Sequence, residues 1–254
     1  MKKKAYIHIG LHKTGSTSLQ KFLKVNEKIL LENDIYIPKS CRVWGDEIVN
    51  HHNLAEELIN SKLFSKENKS FKDLLNEIKN INKNILLSSE DFSKLVSFPE
   101  KLIYFINQLK QLNFEIKFIV YTRYSSDYLR SLFFQLKTVK LIEYSKLINF
   151  IYQMNKKGFY KLNSGVKCYV DSSLFLKDWN TFSKEKISII NYDEKKEKIF
   201  EEFISIIMPN FSFEKLQNKG IYINTFKKNF FQPMRFFSYL ILNIIGHFIL
   251  NKKR

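Results

Sequence analysis

The stretch from residue 10 to residue 18 contains the residue types that bind a phosphate or sulfate group. It reads Gly-Leu-His-Lys-Thr-Gly-Ser-Thr-Ser and follows the apolar run from Ala5 to Ile9. Gly10 and Gly15 allow tight turns, so that the amide groups at the start of the following helix can point at one spot. Lys13 supplies a positive charge, and four hydroxyl groups add further donors: Thr14, Ser16, Thr17 and Ser18. The spacing predicts an anion-binding loop.

This loop differs from the phosphate-binding loop of ATP and GTP enzymes. That loop also has two glycines separated by four residues, but its lysine comes directly after the second glycine. Here Ser16 holds that place. A generic kinase or GTPase is therefore disfavoured, and a nucleotide or metabolite kinase on a P-loop fold stays an alternative.

The loop resembles the one that binds the 5′-phosphosulfate of the donor in sulfotransferases that use 3′-phosphoadenylyl sulfate (PAPS). In that family it has the form Lys-Thr/Ser-Gly-Thr/Ser-Thr between the first strand and the first helix, and residues 13–17 read Lys-Thr-Gly-Ser-Thr. The longer stretch from His8 to Gln20 is similar to the bacterial members that act on glycans. The resemblance implies that Gly10 and residues 13–18 bind PAPS, with Lys13 catalytic and His12 contacting donor or acceptor.

An arginine and a serine match the family's second donor element. The family places an arginine at a strand end and a serine eight residues later, and both hold the 3′-phosphate. Arg123 follows the apolar stretch 114–121, and Ser131 stands eight residues further on. A weaker match to the family's Arg-Lys-Gly loop, which closes over the adenine and the 3′-phosphate, is formed by Asn218, Lys219 and Gly220. Asn218 stands where the arginine is expected.

Three side chains are candidates for the acceptor side of the reaction, because an acceptor hydroxyl must lose a proton as the new sulfur–oxygen bond forms. Glu90 follows the apolar run 85–87, in a stretch similar to the family's strand that ends in Ser-Glu, and the resemblance implies a catalytic base. His51 and His52 stand near a histidine of the bacterial relatives, which implies contact with the acceptor, and with His12 they are reserve bases. Alternatively, Glu90 caps the next helix or pairs with a lysine, and the two histidines are exposed to solvent.

Strands and helices alternate around these residues. Buried strands are predicted at residues 5–9, 85–87, 114–121 and 187–191. Helices are predicted after residue 15, from Ser70, from Pro99 and at residues 125–135, 174–182 and 193–207. This alternation predicts an α/β fold with a P-loop-like central parallel sheet flanked by helices. Ligands bind such sheets at the carboxyl ends of the strands, where Glu90 and Arg123 are then expected beside the Lys13 loop.

The C-terminal part of the chain is predicted to be a helical extension, residues 221–254, of a sulfotransferase domain at residues 1–220. Residues 236–250 hold no charged side chain, but fifteen residues are too few to span a bilayer, which takes about 20. The basic residues on both sides favour peripheral membrane contact through residues 235–254. The alternative is a helix docked on the core or on a second subunit.

Composition limits the function classes further. The chain has 254 residues, a net charge of +17, and 44% hydrophobic and 26% charged residues, which fits a globular domain and excludes wholesale disorder. The charge favours an anionic partner, but only five of the 42 basic residues are arginine, the residue that reads bases best. We therefore expect no nucleic acid partner, and a basic nucleic-acid or membrane-binding module stays an alternative. Cys41 and Cys168 are too few for a disulfide framework, and no signal peptide is apparent.

These observations together predict a PAPS-dependent sulfotransferase that modifies a hydroxyl group, or as second choice an amine, of a cell-surface or lipid-linked carbohydrate. No metal is expected, because lysine and amide groups can supply the positive charge that magnesium supplies in kinases. The expected location is the cytoplasm, with optional contact to the inner face of the cell membrane.

Overall fold

The computed structural model describes residues 2–11, 14–43, 47–123, 132–134, 136–138, 142–192 and 198–217. They form two compact units: the first contains the described residues up to Thr122 and from Asp178 onward, and the second those from Arg123 to Lys177. The predicted domain boundary after residue 220 and the extension 221–254 lie outside the described residues and stay predictions. Among the residues described, no helix is long and apolar enough to cross a membrane.

A five-stranded parallel sheet forms the centre of the first unit. Its strands are β1 (Lys3–Gly10), β2 (Ile35–Tyr36), β3 (Asn84–Ser88), β4 (Phe114–Thr122) and β7 (Lys186–Asn191), in the order β2-β3-β1-β4-β7. In the register of the sheet, His8 of β1 lies beside Ser88 of β3 on one side and beside Ile119 of β4 on the other. Because all pairings are parallel, the strands end at one side of the sheet, called here the carboxyl edge.

Helices cover both faces of this sheet. They are α1 (Ser16–Val25), α2 (Glu27–Glu32), α3 (His52–Leu58), α4 (Phe71–Lys79), α5 (Pro99–Gln111), α7 (Ser172–Ser183) and α8 (Ile199–Ile207). On one face, Tyr121 packs in a core with α1 and α8 residues such as Phe22 and Phe203. On the other, the ring of Phe118 meets Trp179 of α7 edge to face, with 5.0 Å between ring centroids. The structure thus confirms the predicted α/β fold with its central parallel sheet.

The second unit contains a short helical and antiparallel part of the chain. It holds a 3-10 turn at Tyr144–Lys146, α6 (Leu147–Lys157), the hairpin of β5 (Phe159–Lys161) and β6 (Lys167–Tyr169), and the start of α7. Residues 132–134 and 136–138 are helical. Phe150 of α6 packs against Phe133 and Tyr160, each with ring centroids 5.2 Å apart. Residues 125–131 and 135 of the predicted helix 125–135 lie outside the described part of the chain.

Several element boundaries follow from local sequence signals. Ser70 precedes α4 and forms a capping box, in which its hydroxyl accepts a hydrogen bond from the Asp73 amide and the Asp73 carboxylate accepts one from the Ser70 amide. Pro99 opens α5, where its missing N–H costs nothing. Both helix starts were predicted. The helix that follows β3, which Glu90 was one candidate to cap, is a 3-10 helix at Glu90–Ser97.

The capping box of α4 gives a stability prediction. Ser70→Ala removes the hydroxyl that satisfies one helix amide, so the free energy of unfolding is expected to fall by about 1 kcal/mol. Urea denaturation measures it. The control is Ser205→Ala, which removes an exposed hydroxyl that donates to the Glu202 carbonyl oxygen within α8. Equal losses in the two variants would contradict a capping role for Ser70.

Candidate active site

The predicted anion loop connects the end of β1 to the start of α1 at the carboxyl edge. The amide of Leu11 donates to the carbonyl oxygen of Tyr121 in β4, with 3.3 Å between N and O. The hydroxyl of Thr14 donates back to the carbonyl oxygen of Leu11 at 2.5 Å. The first bond joins the loop to the sheet, and the second links two residues of the loop to each other. His12 and Lys13 lie outside the described residues, so the roles assigned to them stay predictions.

Gly15 shapes the junction between this loop and α1. It is the N-cap residue of the helix and has a φ of 83°, a conformation that residues with a side chain rarely adopt. A Cβ atom here would lie 2.8 Å from the ring of Tyr192, which packs over the glycine. The carbonyl oxygen of Gly15 accepts the bond from the Leu19 amide at 3.1 Å. The amides of residues 16–18 therefore lie ahead of the first hydrogen bond of the helix. Amides in this position are the ones that bind anions at helix starts.

Two buried hydroxyl groups at the carboxyl edge have no hydrogen-bond partner within the described part of the chain. One is the Oγ atom of Ser16, which lies so close to Gly10 that a Cβ atom there would collide with it. The other is the Oγ1 atom of Thr122, the last residue of β4. Leaving a buried polar group unsatisfied costs about 1–3 kcal/mol. A phosphate or sulfate oxygen could satisfy such hydroxyls, so the residues present fit an anionic ligand.

The other hydroxyls and donor residues predicted from sequence have different surroundings. Thr14 uses its hydroxyl within the loop, Thr17 is exposed and Ser18 is buried. Arg123 directly follows Thr122 and is half-buried. Four residues lie outside the described part of the chain and remain predictions: Ser131, Asn218, Lys219 and Gly220.

Glu90 lies at the carboxyl edge, two residues beyond the end of β3, which is the neighbour of β1. It is the first residue of the 3-10 helix and is half-buried. The helix is capped by Ser89, whose Oγ accepts a hydrogen bond from the Asp91 amide at 3.2 Å. Glu90 is therefore not the cap of this helix, and its role as a base stays a prediction.

His51 is buried, with both ring nitrogens bonded to the backbone. Nδ1 accepts from the Ser88 amide at 3.2 Å, so Nε2 carries the proton and donates to the Pro38 carbonyl oxygen at 3.0 Å. Burial is the main reason that the pKa of His51 falls to about 3. A neutral His51 thus ties the start of α3 to the end of β3. The alternative that His51 is exposed to solvent is therefore wrong. Its contact with an acceptor stays a prediction.

His52 belongs to a group of four ionisable side chains, called here the His52 cluster: His52, Glu56, Asp91 and Lys94. The Nδ1 atom of His52 is hydrogen bonded to the Asp91 carboxylate, and Nε2 lies 3.8 Å from Glu56 Oε1. Lys94 Nζ lies 2.7 Å from Asp91 Oδ1 and 2.5 Å from Glu56 Oε1. Burial lowers the pKa of Lys94, but the charges of the two carboxylates outweigh it and raise that pKa to about 12.

The same cluster has to be considered as a metal site. Among the described residues, His52, Glu56 and Asp91 form the one group of three potential ligands, with ligand atoms within 4.8 Å of one another. The ammonium group of Lys94, however, contacts both carboxylates and supplies the charge that a cation would bring. We therefore interpret the group as an ion-pair cluster.

Sequence analysis did not single out Thr122, Glu56 or Lys94. Two spacings could have pointed to the cluster: Glu56 stands four residues after His52, and Lys94 three residues after Asp91. Such spacings are common on helices, and the segment of α3 showed no clear pattern. The link between the two pairs comes only from the packing of α3 against the 3-10 helix.

Comparison with known proteins gives a limited result. No protein-family model matches the chain, and no match was found among curated proteins. Among solved structures, the chain is similar to the crystal structure of a sulfotransferase from Alicyclobacillus acidocaldarius, with 10% sequence identity and a TM-score of 0.48. The match covers 99% of this chain and 96% of that one. At this identity and TM-score, it assigns neither activity nor substrate to the chain.

The Tyr192 ring over Gly15 gives a prediction with a matched control. Gly15→Ala and Gly165→Ala both place a side chain at positive φ, 83° and 87°, but only the Cβ at Gly15 meets a neighbour within 4 Å. Each variant is expected to lose about 1–2 kcal/mol of unfolding free energy from backbone strain, with a further loss in Gly15→Ala from the collision. Urea denaturation measures the difference, and equal losses would show that Tyr192 does not constrain the loop.

Proposed function

We propose that the chain is a sulfotransferase that moves the sulfuryl group of PAPS to a hydroxyl group, or as second choice an amine, of a cell-surface or lipid-linked carbohydrate. The observation that carries the proposal is the loop at the carboxyl edge. There Gly15 caps the start of α1, and the buried hydroxyls of Ser16 and Thr122 have no hydrogen-bond partner among the described residues. The match of residues 13–17 to the family's donor loop supports PAPS as the anion.

The proposed reaction needs positioning and charge stabilisation rather than covalent catalysis by the protein. The sulfuryl group passes in line between two oxygens, as a phosphoryl group does. In this proposal, the amides of residues 16–18 and the Lys13 ammonium stabilise the negative charge on the leaving 3′,5′-diphosphate. Arg123 holds the 3′-phosphate, together with Ser131 and residues 218–220.

Two other functions use the same residues differently. A nucleotide or metabolite kinase would bind ATP with magnesium. It needs a lysine directly after the second glycine, and Ser16 stands at that position here. A nucleic-acid or membrane-binding module would use the net charge of +17 without any response to PAPS. Thermal shift separates the three, because we expect 3′,5′-ADP, but not ATP with magnesium, to raise the melting temperature.

The activity is tested by transfer of labelled sulfate from PAPS to a panel of cell-surface glycans and lipid-linked sugars. A labelled product is expected with at least one carbohydrate class. A lipid-linked acceptor would fit the peripheral membrane contact proposed for residues 235–254. No labelled product, together with stabilisation by ATP and magnesium, would favour the kinase.

Lys13→Ala tests the donor loop. The lysine is assigned to charge stabilisation, so the transfer rate is expected to fall by about 10²-fold or more while the melting temperature stays unchanged. The control is Lys21→Ala, which removes an exposed lysine of α1. A Lys13→Ala variant as active as the control would contradict the assignment.

Arg123→Ala tests the 3′-phosphate contact. The loss of a charge-assisted hydrogen bond is expected to weaken 3′,5′-ADP binding by roughly 1.5–3 kcal/mol, measured by calorimetry. Arg123→Lys keeps the charge but not the planar fork, so its affinity should lie between those of the alanine variant and the natural chain. Unchanged affinity in Arg123→Ala would show that the phosphate is held elsewhere.

A further inference from the structure

The His52 cluster lies at the edge of the sheet where the proposed transfer takes place. His51, the preceding residue, is bonded to both the amide and the carbonyl oxygen of Ser88, the last residue of β3. The hydroxyl of Ser88 in turn contacts the Nδ1 atom of His8, two residues before the anion loop begins at Gly10. The cluster is thus attached to β3, which Glu90 follows, and through Ser88 to its neighbour β1, which leads into the loop.

The contacts of His52 fix which ring nitrogen takes up a proton. Asp91 is ionised beside Lys94 and can only accept a hydrogen bond, so the Nδ1 atom of His52 carries a proton in both charge states. Nε2 is therefore the atom that titrates. About a fifth of the His52 side chain is exposed, whereas the Glu56 side chain is almost fully buried.

The charges around His52 favour proton uptake at Nε2. Within the described ranges, the charged groups that face it include Glu56 from α3 and, from the 3-10 helix, Asp91 and Lys94. Two carboxylates and one ammonium leave the cluster at −1 when His52 is neutral and at zero when it is protonated. Burial lowers the pKa of His52, but the hydrogen bond and charge of Asp91, with Glu56, outweigh it and raise the pKa above its usual value.

We propose that His52 is the general base of the transfer, and that Asp91, Glu56 and Lys94 are positioning residues that set its orientation and proton affinity. This inference rests on the proposed function. A base works best when its pKa lies near the working pH, and histidine is the side chain whose ordinary pKa lies in that range. Glu90, the base implied by the family resemblance, is the competing assignment.

The proposed step balances without a further reactant. The O–H bond of the acceptor breaks, and its proton goes to Nε2 of His52. The acceptor oxygen forms the new bond to sulfur while the bond from sulfur to the 5′-phosphate oxygen breaks. The electron pair of that bond leaves with 3′,5′-ADP, and His52 later returns its proton to solvent.

The first test compares His52→Gln with Glu90→Gln in the full chain. His52→Gln is expected to lower kcat by about 10²- to 10⁴-fold, with the Kd of 3′,5′-ADP changed less than twofold. Glu90→Gln is expected to lose less activity. It should also keep the fall of kcat/KM at low pH that protonation of His52 causes. The reverse ranking, or a loss below threefold in His52→Gln, would overturn the assignment.

The second test uses two positioning residues whose substitutions act with opposite sign. The transfer needs neutral His52, so kcat/KM should rise with pH through the pKa of His52. Asp91→Asn removes a negative charge and should move this limb to lower pH by roughly one unit, because the imidazolium loses a partner. Lys94→Gln removes a positive charge and should move the limb to higher pH.

The outcomes separate this inference from the function on which it rests. A purely structural cluster would change the melting temperature without opposite shifts of the pH limb, and absent or same-direction shifts in active variants would overturn the inference alone. If the natural chain transfers no sulfuryl group to any acceptor, the proposed function fails and the base assignment falls with it.

Discussion

The parallel pairing of β1 between β3 and β4 is the constraint on which the candidate site depends. Parallel neighbours end at the same edge, so Gly10, Ser88 and Thr122 finish side by side although they are far apart in the sequence. This pairing alone brings the residues that follow each strand to the same edge of the sheet. The interior position of β1 also explains its composition, because residues 5–10 are buried and an apolar run without alternation suits a strand covered on both faces.

Two adjacent histidines show how the surroundings set the chemistry of one residue type. His51 is bonded to backbone groups and stays neutral, because burial and then the charge of Arg42 lower its pKa more than its hydrogen bonds and Glu77 raise it. His52 faces two carboxylates and one ammonium, which stabilise its charged form. The pKa values of the pair therefore move in opposite directions. His51 joins α3 to β3, and His52 is the residue that we propose as the base.

The fold could be predicted from the sequence more fully than the site. Residues 5–9 and 114–121 are long apolar runs, and Ser70 and Pro99 are strong helix signals, so the central strands and the starts of α4 and α5 were evident. β2 has only two residues, and α3 lies in a stretch without clear periodicity. The partners of Asp91 depend on contacts between distant segments, and so does the absence of a described partner for the Thr122 hydroxyl. No local pattern encodes them.

The contact between Tyr192 and Gly15 joins residues that are separated by most of the chain. Tyr192 directly follows β7, the last strand along the described part of the chain. Contacts of such large sequence separation form late, because the intervening chain must first be ordered. The loop at residues 10–18 is thus translated among the first residues but acquires its final support only once β7 has joined the sheet. A nascent chain that ends before residue 192 would carry the complete loop sequence without the ring that packs over its glycine.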